Sequence, residues 1–243
     1  SEEAVPQVGW NPENGEYLVI WQDARSSHWE VYGRRVSGAG VPLDADFLVS
    51  EPLSASYTET PAVTGNAGAG EDLVVWSIQQ VYSRGFDIYG QRLAPDGALL
   101  GELFRIRGNP SQVDQGTPAV ACDPATGKCL VVWQEGGGGV YSEGIFGRRL
   151  QPDGTTSGAQ FRVSGSGAVW AGDPALALDP LFGRYLVLWG DNRNAATRGS
   201  DVYGRWVGLT GGPAGAEFRI GAASEGVSPF ADEGAAVLLW NEA

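Results

Sequence analysis

The sequence predicts an all-β protein, a β-propeller of four-stranded blades, and three observations lead there. First, 37 glycines and 14 prolines in 243 residues disfavour a helix-rich chain, while 42% hydrophobic and 10% aromatic residues supply a substantial core. Second, prolines recur at positions 6, 61, 118, 174 and 229, spaced by 55, 57, 56 and 55 residues. Third, tryptophan follows each of the first four prolines by 15 residues, at Trp21, Trp76, Trp133 and Trp189, and the last by 11, at Trp240. Fifty-odd residues per unit, with strand-like runs and no helical periodicity between them, favour blades around an axis over βαβ units.

The elements follow in order within each unit, and the third copy is the clearest. Pro118–Cys122 reads as a first strand and Cys129–Trp133 as a second, because β-branched and aromatic residues flank an Asp-Pro-Ala-Thr-Gly turn. Gly144–Leu150 supplies a third strand, Pro152-Asp-Gly154 a turn, and Phe161-Arg-Val163 a fourth. The same phase runs through Val31-Tyr-Gly-Arg-Arg35, Ile88-Tyr-Gly-Gln-Arg92 and Val202-Tyr-Gly-Arg-Trp206, then Phe47-Leu-Val49, Phe104-Arg-Ile106 and Phe218-Arg-Ile220. One domain over 1–243 therefore divides into repeats 5–59, 60–116, 117–172, 173–227 and a partial 228–243. The expectation is a five-bladed ring whose fifth blade is incomplete in this chain: either its remaining strands come from another extracellular protein, another copy or further sequence, or the blade is a short one, with completion by another chain preferred.

Within the repeat, Trp21, Trp76, Trp133, Trp189 and Trp240 are expected to pack between adjacent sheets, each indole nitrogen finding one hydrogen-bond partner. Tyr32, Tyr89, Phe146 and Tyr203 share that structural role, and the glycine after each admits a bulge, a strong twist or a close approach. Cys122 and Cys129 flank one hairpin turn and are expected to form a disulfide, which belongs in an oxidising compartment.

The pattern Leu-Val-x-Trp-x-Asp/Glu, followed by Asp/Glu-Val/Ile-Tyr-Gly-x-Arg, resembles tandem propeller repeats of bacterial secreted and surface proteins. Its clearest forms are Trp21-Gln-Asp23 with Glu30-Val-Tyr-Gly33, and Trp189-Gly-Asp191 with Asp201-Val-Tyr-Gly204. The second copy carries Ile78 at the first acidic position and the third carries Gly144 at the later one. The resemblance implies a secreted or cell-surface protein that binds or assembles with another macromolecule, and not an enzyme.

A net charge of -13 argues against nucleic acid and anionic membranes as partners. Apolar runs such as Tyr17–Trp21 are far shorter than the roughly 20 residues of a membrane helix, so no direct membrane insertion is expected. His28 stands alone as the single histidine, in a segment between repeated strands, and reads as a surface or packing residue. No metal and no cofactor are expected, since neither a zinc ligand set nor a phosphate-binding glycine loop is present. Aromatic residues outside the repeat, Trp29, Tyr57, Tyr82, Tyr141, Trp170 and Trp206, are the binding candidates for a protein partner or a carbohydrate. Asp23, Glu135, Asp191 and Glu242 recur just beyond the tryptophans. They either bridge strands and loops through charged hydrogen bonds or converge near the axis as the carboxylates of a glycan hydrolase. The leading expectation is a non-enzymatic binding or assembly module, with a carbohydrate-binding propeller and a glycan hydrolase as alternatives.

Overall fold

The computed structural model describes residues 3–26, 28–50, 57–79, 85–107, 113–137, 142–166, 170–194 and 199–222. They form four antiparallel four-stranded sheets, each one blade, with strands adjacent in sequence order. Blade 1 holds β1 (Glu3–Asn11), β2 (Glu16–Asp23), β3 (Glu30–Ser37) and β4 (Phe47–Leu48). Blade 2 holds β5 (Tyr57–Asn66), β6 (Glu71–Gln79), β7 (Phe86–Leu93) and β8 (Leu99–Arg107). Blade 3 holds β9 (Val113–Cys122), β10 (Cys129–Gly137), β11 (Ser142–Leu150) and β12 (Thr156–Arg162). Blade 4 holds β13 (Ala171–Asp179), β14 (Arg184–Asp191), β15 (Asp201–Gly208) and β16 (Pro213–Ala222). The first strands β1, β5, β9 and β13 pack on one another in series and so line the axis.

Period-2 alternation explains how the blades stack, since successive side chains of a strand point to opposite faces. In β2, Leu18 and Ile20 face forward onto Val74 and Trp76 of blade 2. In β6, Leu73 and Val75 face forward onto Val131 and Trp133 of blade 3, and Leu130 and Val132 repeat this against Val187 and Trp189 of blade 4. Each repeated tryptophan thus packs backward against the preceding blade, and Trp76, Trp133 and Trp189 are fully buried. Trp21 stands on the outer side of blade 1 and is only half-buried.

The Tyr/Phe-Gly element has a direct steric cause. Gly33, Gly90, Gly147 and Gly204 lie in register opposite Phe47, Phe104, Phe161 and Phe218 of the outermost strands. A Cβ on any of these glycines would stand 2.7 to 3.2 Å from the facing phenylalanine ring, so glycine is required for the ring to lie on the sheet.

The Cys122–Cys129 disulfide is formed, joining residues paired across β9 and β10 and buried against blade 2. Closing so short a loop stabilises the fold by about 2 to 3 kcal/mol in the chain-entropy account.

At the hairpin-tip end of the blade 1–blade 2 junction, Asp72 is buried and accepts a hydrogen bond from Asn11 Nδ2 at 3.2 Å. Burial, with the charge of Glu16 adding to it, lifts its carboxyl from 3.8 to about 6. A group whose pKa rises on folding contributes its full stability below the unfolded value and loses it as pH climbs through the folded one. Asp72→Asn is therefore expected to stabilise the protein by about 1 to 3 kcal/mol at pH 7.5 and by nothing below pH 4. Thermal melts of both proteins at the two pH values check this, and equal melting temperatures at pH 7.5 would contradict it.

Candidate active site at the axial mouth

All four inner strands run the same way, so their N-terminal ends meet at one end of the axis. Each carries a β-bulge there, just before the repeated proline. The residues preceding those prolines hold positive φ: Val5 at 51°, Thr60 at 48°, Thr117 at 44° and Asp173 at 51°. Three are not even residue types that tolerate this region readily, and the arrangement costs on the order of 1 to 3 kcal/mol at each position. Contacts between blades hold it. Thr117 donates its N–H to Thr60 Oγ1 at 3.2 Å, and Asp173 donates its N–H to Gln134 Oε1 at 3.3 Å. Gln22 Nε2 donates to the carbonyl of Thr58 at 2.6 Å. Such bulges re-aim the side chains next to them.

Four carboxylates occupy this mouth, all missed at the level of sequence: Glu3 on β1, Glu59 on β5, Asp114 on β9 and Asp173 on β13. All four are solvent-exposed. Glu59 lies between the Ser77 hydroxyl, which donates to its carbonyl at 3.0 Å, and the bulge at Thr60. Desolvation raises the Glu59 carboxyl above the usual glutamate value, and the charge of Asp114 on the adjacent inner strand raises it further. Asp114 is itself fixed by the N–H of Phe86, which donates to its Oδ1 at 3.0 Å. The pair combines a carboxyl held towards its protonated form with a neighbour oriented by a backbone donor.

The repeated acids beyond the tryptophans do not belong to this group. Asp23 accepts from Trp21 Nε1 at 3.3 Å and from the Arg25 N–H and Nε, both at 2.8 Å. Hydrogen bonds from Arg25 hold its carboxyl below the usual range. Asp191 repeats the arrangement with Trp189 Nε1 at 3.2 Å and the Arg193 N–H and Nε, both at 2.9 Å. Arg25 and Arg193 then lie over the Tyr32 and Tyr203 rings, each 4.1 Å from the centroid. Glu135 accepts from Trp133 Nε1 at 3.1 Å and pairs with Arg107. Where Ile78 replaces the acid, the buried Trp76 Nε1 has no partner among the described residues. These acids are buried clasps between an indole and an arginine, and Glu242 and Trp240 lie outside the described residues.

Of the aromatic candidates, Tyr57 is 54% exposed at the start of β5, two residues before Glu59. Trp29 reaches the same end through its carbonyl, which accepts from Thr58 Oγ1 at 2.6 Å. Trp170 is also there, half-buried over Gly172 and Gly190, whose missing Cβ atoms leave room for its ring. Trp206 lies towards the opposite end under Arg184, 3.7 Å from the ring centroid. It takes the place of Arg35, Arg92 and Arg149, which donate to carbonyls of the next blade. Phe146 and Tyr89 sit at the blade interfaces, Tyr82 and Tyr141 lie outside the described residues, and His28 is exposed. A cavity of about 530 Å³, lined by Trp21, Arg34, Asp46 and the first residues of β1, opens on the outer flank of blade 1, and Glu59 and Asp114 do not line it. Among the described residues no three His, Cys, Asp or Glu side chains are grouped to hold a metal ion, and no helix is long and apolar enough to cross a membrane.

No protein-family model matches the chain, and no curated protein matches it in sequence. Solved structures do. A GH43 endo-arabinanase from Bacillus licheniformis superposes with a TM-score of 0.54 at 12% identity, over 88% of this chain and 78% of that one. An α-L-arabinanase of Penicillium chrysogenum, complexed with arabinobiose, gives 0.63 at 13% identity over 90% and 66%. A Hadza microbial sialidase gives 0.61 at 14% identity over 86% of this chain and only 45% of that one. The expectation of a non-enzymatic protein is corrected by these neighbours, many of which are GH43 glycoside hydrolases. What the likeness establishes at such identities is the fold, an all-β propeller of the architecture that the five-bladed GH43 structures share.

Proposed function

We propose that this protein hydrolyses a glycan at the axial mouth, with Glu59 as the general acid. The observation that carries the reading is the Glu59–Asp114 pair, one carboxyl raised by desolvation and by the charge of the other. Glycoside hydrolysis needs two carboxyl groups in different protonation states, one to protonate the leaving oxygen and one to activate water or attack the sugar. Glu59 gives its proton to the glycosidic oxygen as the bond to the anomeric carbon breaks. Water adds to that carbon from the opposite face, and its proton passes to a second carboxylate of the mouth. Exposed Tyr57 offers a ring face for a sugar beside the acid. The neighbours named above, an endo-arabinanase and an arabinobiose-bound arabinanase among them, support the choice of a glycan over other substrates. The Cys122–Cys129 bond fits an exported protein.

Reducing-end release from a panel of folded-protein digests of arabinans, β-1,3-galactans and sialylated glycans tests the reading, and no turnover on any of them would overturn it. A general acid loses activity as pH rises through its folded pKa. Asp114→Asn removes the like charge and lowers that pKa. The basic limb of the pH–rate profile is therefore expected to move to lower pH in Asp114→Asn, and an unmoved limb would reject the pairing.

A further inference from the structure

Tyr57, Asp114 and Trp170 occupy one position of the repeat, four residues before Pro61, Pro118 and Pro174. Because β5 packs on β9 and β9 on β13, the mouth carries a ring in blade 2, a carboxylate in blade 3 and a ring in blade 4. Tyr57 is exposed at the start of the strand that carries Glu59. Trp170 is fixed more firmly. Its N–H donates to Asn192 Oδ1 at 2.6 Å, and its carbonyl accepts from the Asn192 N–H at 3.1 Å. Its indole lies over the Gly172–Gly190 pair of β13 and β14, where a Cβ on Gly190 would stand 3.0 Å from Cζ3 and one on Gly172 2.5 Å from Cζ2. Backbone thus supports the ring from below while the residue keeps part of its surface in solvent.

Seating that ring departs from the repeat. The positions in register with Gly190 are Gln22, Ser77 and Gln134, paired with Ala4, Glu59 and Gly116 as Gly190 is with Gly172. Gln22 and Gln134 each reach the inner strand of the following blade, Gln22 through the Thr58 carbonyl and Gln134 through the Asp173 N–H. Blade 4 has no side chain there, and an indole occupies the space. Blade packing does not ask for an indole at this place, since Tyr57 and Asp114 hold it in blades 2 and 3.

We infer that the mouth grips a glycan chain laid across the axis, one sugar stacked on Tyr57 and another on Trp170, so that the linkage presented to the Glu59–Asp114 carboxyls is an internal one. The inference rests on glycan hydrolysis at the mouth and adds the substrate class, a chain of several sugars cut within its length. Aromatic faces take the apolar faces of sugars, and the acids between them meet hydroxyl groups. Stacked sheets stand about 10 Å apart, and the two rings belong to blades with a third between them, so one sugar does not touch both.

Arabino-oligosaccharides and β-1,3-galacto-oligosaccharides from disaccharide to hexasaccharide are the probes. The unaltered protein is expected to release oligosaccharides and not single sugars from a hexasaccharide. In Trp170→Ala the KM for that hexasaccharide is expected to rise at least about tenfold, a larger change than in kcat, and the effect shrinks as the chain shortens. Gly190→Gln restores the residue type of blades 1 and 3, unseats the ring and is expected to act in the same direction, with melting curves showing that both variants stay folded. Indole N–H signals of Glu59→Gln, followed by nitrogen-15 NMR as the hexasaccharides are added, read the contact without turnover, and the Trp170 signal is expected to shift and saturate. A saturating shift at Trp170 with no turnover by the unaltered protein would overturn the hydrolase and keep the two-ring grip. Turnover that releases single sugars only, or whose KM is indifferent to Trp170, would overturn the grip and keep the hydrolase. Neither a shift nor turnover would overturn both.

Discussion

Glu59→Gln is expected to reduce glycan turnover by about a hundred- to ten-thousand-fold without lowering the melting temperature, the loss typical of removing a positioned general acid. The side chain is exposed, so its amide analogue fits without a cavity, and only the proton is lost. Its backbone bonds are kept, since Ser77 Oγ donates to the Glu59 carbonyl and not to the carboxyl. Asp23→Asn is the contrasting case. That carboxylate accepts four hydrogen bonds from Trp21 and Arg25, of 2.5 to 3.3 Å, so its change acts on stability before it acts on rate. Initial rates on the best glycan of the panel, with melting curves of the same samples, separate the two. Wild-type turnover in Glu59→Gln would remove Glu59 from the chemistry.

Trp133→Ala is expected to destabilise the fold by about 3 to 5 kcal/mol, the range for deleting a fully buried large aromatic. The indole is buried among Leu73, Val75 and Ile88 of blade 2 and Val131 of its own strand, so its removal opens a void between two blades. It also strips one donor from Glu135, which keeps the Arg107 pair. Urea unfolding read by far-ultraviolet circular dichroism checks the magnitude, and a loss below about 1 kcal/mol would mean the void collapses at little cost.

What the sequence made legible is what every blade has to do alike. Packing one sheet on the next asks for the same tryptophan, the same glycine under the same phenylalanine and the same bulge proline in each copy, and periodicity exposes them. The acids at Asp23, Glu135 and Asp191 share that periodicity because they serve the repeat, each clasping its own tryptophan. The mouth carboxylates were hidden for the opposite reason. Glu3, Glu59, Asp114 and Asp173 stand at four different distances from their prolines at positions 6, 61, 118 and 174, so no register groups them. Carboxyls in unlike surroundings depart from the symmetry of the scaffold that carries them. The usable signal was an acid within four residues upstream of every described repeat proline, together with Tyr57 in the same stretch. That signal acquires meaning only once the inner strands are known to converge.

The asymmetry also explains why the sequence alone points to a non-enzymatic protein. Regular repeats point to architecture, and the residues that break the pattern look like drift until the axis places them together. The strained backbone at Thr60 and Asp173 marks the same end of the molecule independently of any acid.

Burial at the mouth, with the charge of Asp114, raises the Glu59 carboxyl above the ordinary glutamate value. Carbon-13 NMR titration of the Glu59 side-chain carboxyl, in the native protein and in Asp114→Asn, tests it without requiring the right glycan to be in hand. A midpoint above the ordinary glutamate value that falls when Asp114 is neutralised is the predicted result. A midpoint at or below the ordinary value, or one indifferent to Asp114, would contradict it.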